Sequence, residues 1–247
     1  MAAELFLQAC LNGSRPPGDH EALPLTPDEL AADARAVAEA GAVALHVHPR
    51  GPDGLESLEP EHCGAAVAAL REATPKLEVS LSTGLWITGG DVERRLECVR
   101  GWTELPDCVS LNVAEEGWEA LGELLAERGI LIEIGLWRAD HPARLAASGL
   151  ARRCRRALVE PQETAPAIAV TTAGAIDGYL ERVGIELPQV HHGTDFTTWA
   201  VLDASVRRGR EVRIGFEDSY SLPDARRAGS NAELVAAAAE RYLSSSG

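Results

Sequence analysis

The sequence predicts an α/β chain closed into a (β/α)8 barrel, and three observations carry that expectation. Eight strand-like runs recur along the 247 residues, and helical patterns follow most of them. The repeat is ~25–38 residues, the period of a strand–helix unit. Polar residues stand at the ends of most of the runs, where a barrel places its chemistry. The alternative is an open doubly wound sheet, but no G-x-G-x-x-G or G-x-x-x-x-G-K-[ST] follows any strand. With no linker-like segment, residues 1–247 are expected to form one domain.

The runs begin near Leu5, Ala42, Leu77, Cys108, Ile130, Ala157, Gln189 and Val212. The first helix has the clearest start. Thr26-Pro27-Asp28-Glu29 reads as a capping box with proline at the first helical position. Leu30, Ala34, Val37 and Ala38 then line an apolar stripe, and Gly41 ends it. Further helices are expected at Asp91 to Trp102, Trp118 to Glu127, Ala165 to Val183, Phe196 to Arg207 and Asn231 to Tyr242. Ala139 to Leu150 is a weaker pattern, with Pro142 near its start. A Ser244-Ser245-Ser246-Gly247 tail closes the chain.

Ala42 to Val47 reads as a short buried strand, preceded by Gly41 and stopped by Pro49. His46 and His48 are two apart and so share a face, about 6–7 Å apart at Cα. Such a pair at a strand end suits a metal ion; it also suits two separately hydrogen-bonded histidines. Near the C-terminus, Val212 to Ser219 reads as another strand, with Arg213, Gly215 and Glu217 on one face. In a closed sheet Glu217 points where the histidines point, and His₂Glu with an open position is a recurrent catalytic zinc set. Arg213 would lie about 13 Å down the strand from Glu217, where it could pair with a deep barrel carboxylate. Ser82, Asn112, Glu133, Glu160, His191, His192 and the Glu217-Asp218 pair all fall in or at the ends of later strands.

Net charge is −15, and the Arg152-Arg153-Cys154-Arg155-Arg156 cluster runs straight into an apolar segment. This balance disfavours nucleic acid and anionic membranes as partners. No apolar run approaches the ~18 residues that span a bilayer. Five scattered cysteines, with no C-x-x-C pair and no apparent signal peptide, lead us to expect reduced thiols and a cytoplasmic location. Lys76 is the only lysine, so a Schiff-base mechanism would depend on it alone.

Taken together, these residues resemble the β-keto acid cleavage enzymes, the group that includes 3-keto-5-aminohexanoate cleavage enzyme. The resemblance runs from Leu11-Asn12-Gly13-Ser14-Arg15 and Leu23 to Glu29, through Glu39-Ala40-Gly41-Ala42, His46-Val47-His48-Pro49-Arg50, Ser82-Thr83-Gly84 and Ser110-Leu111-Asn112. It ends in Arg213 to Asp218 and Ser230 to Val235. The R-x-G-x-E-D run together with the earlier H-x-H is its most specific part. The resemblance implies a zinc-dependent (β/α)8 barrel that exchanges an acetyl group between a β-keto acid and acetyl-CoA, giving acetoacetate and a new CoA thioester. It implies one Zn²⁺ on His46, His48 and Glu217, Asp218 as catalytic carboxylate, and Arg213 as its support. Ser82 and Asn112 would contact the keto acid, and Arg15 would select it; Glu133 joins them as a substrate-binding candidate. The implied partners are a small β-keto acid and acetyl-CoA, and a homo-oligomer, dimer or tetramer, is expected.

This chain departs from that pattern in several places. The member that acts on an amino-keto acid has a glutamate where Arg15 stands, so an acidic or neutral β-keto acid is expected here. Leu85-Trp86-Ile87 is bulkier than a glycine-rich turn, and Val190 to Asp195 differs, with one histidine available to the site. The chain is shorter than typical members, so loops that would hold CoA are expected to be trimmed. Three other classes compete. One is a metal-dependent aldolase or lyase without CoA. Another is an amidohydrolase-type hydrolase, which usually carries H-x-H on its first strand. The third is a non-catalytic metal-binding barrel.

Overall fold

In a computed structural model that describes residues 6–245, eight parallel strands close in sequence order, each bonded to the next and the last to the first. This is the (β/α)8 barrel. The strands are β1 (Leu7–Cys10), β2 (Ala44–Val47), β3 (Glu78–Ser82), β4 (Cys108–Asn112), β5 (Leu131–Leu136), β6 (Cys154–Val159), β7 (Gln189–His191) and β8 (Glu211–Ile214). Each begins within three residues of its expected start, apart from the first, whose Leu5 lies outside the described residues. The end residues Ser246 and Gly247 of the tail lie outside them too.

The helices are α1 (Pro27–Glu39), α2 (Pro60–Ala73), α3 (Val92–Gly101), α4 (Trp118–Glu127), α5 (His141–Ser148), α6 (Pro166–Arg182), α7 (Thr198–Arg207) and α8 (Asn231–Ser245). The expected capping box on α1 is present in full: Thr26 Oγ1 accepts from Glu29 N, and Glu29 Oε2 accepts from Thr26 N. Helix α2 is an element that the sequence reading did not predict. Its cap, Glu59, makes no side-chain capping bond, although Cys63, Ala66, Val67 and Leu70 bury a regular helical stripe. Residues Asp195–Thr197 form a 3₁₀ turn, so the predicted helix at Phe196 starts only at Thr198.

The apolar faces of strands and helices meet in one continuous layer. Inside the barrel the lower layer is polar. Glu133, fully buried on β5, accepts from Gln8 Nε2 (2.9 Å), Arg156 Nη1 (2.7 Å) and Ser80 Oγ, while Arg156 also reaches Glu78 at 2.5 Å. Arg156 attains this position through an irregularity: pairing of β5 with β6 shifts between Ile132 and Glu133, leaving Arg155 extra. No helix among the described residues is long and apolar enough to cross a membrane. All five cysteines are free.

Candidate active site

The C-terminal ends of the strands surround a cavity of about 330 Å³. Its wall includes His46, His48, Ser82, Asn112, Arg213, Glu217 and Asp218 from the sequence-predicted set. His46 lies in β2, opposite Cys10 of β1 and Ser80 of β3. His48 follows the strand, and Asn12 fixes it by accepting from His48 N (2.9 Å) and donating to His48 O (3.0 Å). The extended reading of residues 212–219 holds only as far as Ile214. Beyond it the chain turns, with Asp218 N and Ser219 N both bonded to Gly215 O at 2.9 Å. Gly215 permits this turn beside β1, because a Cβ there would lie 2.0 Å from Cys10 O.

The turn corrects one expectation directly. Arg213 is not a distant, deep residue: its Nη2 lies 2.7 Å from Glu217 Oε1 and 2.9 Å from Asp218 Oδ1. An i,i+4 pair is brought together by the turn, where a strand would have held it apart. Asp218 is buried and Glu217 largely so, which by itself would raise their pKa values. The guanidinium outweighs burial and, with His48 beside Glu217 and His192 beside Asp218, holds both ionised.

The two histidines and Glu217 converge. The Nε2 atoms of His46 and His48 are 3.3 Å apart, and they lie 3.7 and 3.5 Å from Glu217 oxygens. A tetrahedral zinc ion with bonds of 2.0–2.2 Å sets its ligands about 3.3–3.6 Å apart. Hydrogen bonding on the far side of each ring tests the fit. Ser80 Oγ gives its one proton to Glu133, so at 3.1 Å it accepts from His46 Nδ1–H. Glu56 Oε1 takes the Nδ1–H of His48 at 2.5 Å. In the neutral rings both Nε2 atoms then present lone pairs to one another and to a carboxylate whose Oε2 has no hydrogen-bond partner. Three acceptors facing one point, with outer carboxylate or hydroxyl partners fixing the tautomers, fit a divalent cation.

Burial drives the His46 pKa down to about 3 and keeps that ring neutral. Burial also opposes charge on His48, but Glu217 and Glu56 outweigh it and lift the pKa to about 9. An arriving cation therefore has to displace that proton.

Ser82 and Asn112 stand in the wall at the ends of β3 and β4. Asn112 donates to Glu115 at 2.8 Å and keeps its second N–H. Two expected substrate contacts do not line the cavity. Glu133 is consumed in the lower polar layer, where Gln8, Ser80 and Arg156 use both its oxygens. Arg15 lies over the β8 turn. Its Nη2 pairs with Asp195 at 2.7 Å, its Nε donates to Phe216 O at 3.0 Å, and it stacks on Tyr220.

Several wall residues were not singled out from the sequence as site members. Trp86, Trp137, Glu160 and Gln162 line the cavity, and His192 is the histidine of its pair that enters. His191 points away, bonded to Gln189 at 2.9 Å. Glu160 and His192 stand at the ends of runs that the sequence marks as strands, and that position is their signal. Lys76 is exposed and does not line the cavity.

A family model for beta-keto acid cleavage enzymes matches residues 4–244. The chain belongs to this family. A 3-keto-5-aminohexanoate cleavage enzyme of Fusobacterium nucleatum is 26% identical over 95% of this chain and 90% of its own length. A 3-oxoadipate:acetyl-CoA acetyltransferase of Cupriavidus necator is 31% identical over 34% of this chain and 30% of its own. Among solved structures, ObcA in a binary complex with oxaloacetate has the same fold at TM-score 0.73 and 15% identity. That alignment covers 91% of this chain, which spans 64% of ObcA. On this beta-keto acid cleavage barrel the H-x-H pair stands on the second strand, away from the first-strand position usual in amidohydrolases.

Proposed function

We propose that this barrel is a zinc-dependent β-keto acid cleavage enzyme that transfers an acetyl group between a β-keto acid and acetyl-CoA. The products are acetoacetate and the CoA thioester of the remaining acyl chain. The observation that carries the reading is the convergence of His46 Nε2, His48 Nε2 and Glu217 beside a second carboxylate, Asp218, whose Oδ2 has no partner. The names of the Fusobacterium and Cupriavidus relatives support the keto acid and acetyl-CoA.

The chemistry needs a proton removed from the carbon between ketone and carboxylate, and later returned. Zinc on His46, His48 and Glu217 would supply a Lewis acid for the keto oxygen. Asp218, ionised and buried against Arg213, accepts that carbon-bound proton at Oδ2 and gives it back to the acetoacetate carbon. Ser82 Oγ–H and the spare Asn112 N–H donate to the substrate carboxylate. Trp86, Trp137 and Leu158 wall the cavity and exclude water.

The substrate we assign carries a neutral tail. Among the described residues the cavity wall has no cation free of carboxylate partners: Arg213 is shared by Glu217 and Asp218, and His192 stands between Asp218 and Glu160. Arg15, at the rim, is matched by Asp195. Five free cysteines agree with a reducing, cytoplasmic setting. The test is an acetyl-CoA-dependent screen of β-keto acids on zinc-loaded protein, read as acetoacetate. Acetoacetate that appears only with both substrates and metal supports the reading. Keto acid consumed equally without acetyl-CoA overturns it in favour of a metal-dependent lyase, and no consumption of any β-keto acid in favour of a binding barrel.

A further inference from the structure

His192 is the one histidine in the wall that the metal-ligand set does not use. It follows β7, and its backbone N–H bonds Val159 O on β6 at 3.2 Å. The ring therefore emerges between the ends of β6 and β8, 3% exposed. Its Nδ1 lies 3.1 Å from Asp218 Oδ1 and its Nε2 lies 3.1 Å from Glu160 Oε2. Neither contact has hydrogen-bond alignment, so the ring is held as a charge between two carboxylates. The other oxygen of Glu160 takes the Trp137 indole N–H at 2.5 Å, which fixes Glu160 in turn.

We infer that His192, held by Glu160, is a positioning residue that selects which oxygen of Asp218 does the chemistry. The inference rests on the reading of Asp218 as the proton-moving carboxylate. Arg213 cannot make this selection alone. Its Nη2 is shared between Glu217 Oε1 and Asp218 Oδ1, so it draws the metal carboxylate and the base toward the same point. His192 meets Asp218 and not Glu217 among the ion pairs of the described residues. With it, Oδ1 is engaged by two cationic groups, and Oδ2 is the oxygen without a partner. Without it, the carboxylate is tethered through one shared nitrogen and is free to rotate. Opposition of a positive ring to both acids agrees with the direction in which burial, opposed by Asp218 and Glu160, leaves the His192 pKa: upward.

The experiment compares zinc-loaded wild type with His192→Ala, His192→Asn, Glu160→Gln and the His192→Ala/Glu160→Gln double variant. Zinc per chain should stay at the wild-type level in all four, because His192 and Glu160 are not ligands. In His192→Ala, kcat should fall by about 10²-fold, the scale of a misplaced reacting group, with KM within about twofold. His192→Asn, which offers Asp218 a neutral N–H in place of the charged ring, and imidazole added to His192→Ala should each restore part of kcat. Glu160→Gln should lower kcat in the wild-type background and add little to His192→Ala. Unchanged kcat in His192→Ala overturns the inference, as does a loss that neither asparagine nor imidazole relieves. If wild type turns over no β-keto acid, the functional reading fails first. The positional claim then stands or falls on a crystal structure of His192→Asn beside that of His192→Ala. Asp218 keeping the same orientation in both as in wild type would overturn it.

Discussion

Two clusters inside this barrel look alike in composition and differ in everything that matters for chemistry. In the lower layer Glu78, Cys108 and Glu133 bring their ligand atoms within 4.8 Å of one another, as His46, His48 and Glu217 do above them. The lower cluster is closed on itself. Arg156 inserts a guanidinium between its two glutamates, and both oxygens of Glu133 have partners. The upper cluster is open: Glu217 Oε2 and Asp218 Oδ2 have no hydrogen-bond partner, and two imidazole nitrogens face each other. Proximity of side chains able to ligate a metal does not by itself mark a functional centre. The mark is acceptor capacity left over after the protein's own donors are counted.

Exchanging alanine into each cluster should separate the two most sharply. Glu217→Ala should abolish stoichiometric zinc binding and acetoacetate formation, with a smaller loss of stability in the metal-free protein, because Glu217 is partly exposed and Arg213 keeps the buried Asp218. Glu133→Ala should instead destabilise the fold by about 3–5 kcal/mol, because Arg156 loses a buried partner. Urea unfolding of the metal-free proteins decides; a Glu133→Ala chain as stable as wild type would mean the lower cluster is not structural. Next in size, Asp218→Asn should keep its zinc and lose about 10²-fold or more in kcat, as expected for a missing base. Turnover equal to wild type would remove Asp218 from the mechanism.

Ser80 joins the two layers: it gives its proton to Glu133 and accepts one from His46. Ser80→Ala should weaken zinc affinity by about 10-fold, measured by competition with a chelator, since an outer partner only orients the ligand. An unchanged affinity would show that His46 needs no help from below. The smallest effect concerns the rim. Asp195→Asn frees Arg15 while keeping a residue that tolerates the positive φ of 49° found there. The ratio of kcat/KM for a dicarboxylic over a neutral β-keto acid should then rise several-fold. A ratio that stays put would show that Arg15 only anchors its loop to Phe216 and Tyr220.

Much of this architecture could be read before any coordinates. Most of the strands are short apolar runs with valine or isoleucine, bounded by turn residues, and that signal is local, so the expected starts of β2 to β8 lie close to the observed ones. The histidine pair was legible because strand alternation alone puts both rings on one face. Helix α2 is hard to read because its start carries no side-chain cap, leaving only Pro60 in its first turn and the stripe of Cys63, Ala66, Val67 and Leu70. The Arg213–Glu217 contact escaped because alternation was extended past Ile214, where the backbone in fact turns on Gly215. Glu133 and Arg15 were placed by strand and loop membership, which says where a residue begins but not which neighbour claims its side chain. Arg156 and Asp195, far away in sequence, are those neighbours.

Gly13 contributes no functional group to the site, yet the Glu217 side chain leans on it. With φ at +54°, it sits so close to the β8 turn that an added Cβ would lie 2.4 Å from Glu217 Cγ and 2.9 Å from Glu217 Cα. The clash would be with backbone, so no rotamer of Glu217 relieves it. Mutational tolerance at the mouth of this barrel is therefore inverted. Positions that carry reactive atoms admit isosteric neighbours that report on chemistry, whereas this one, chemically blank, admits no other side chain without moving the glutamate.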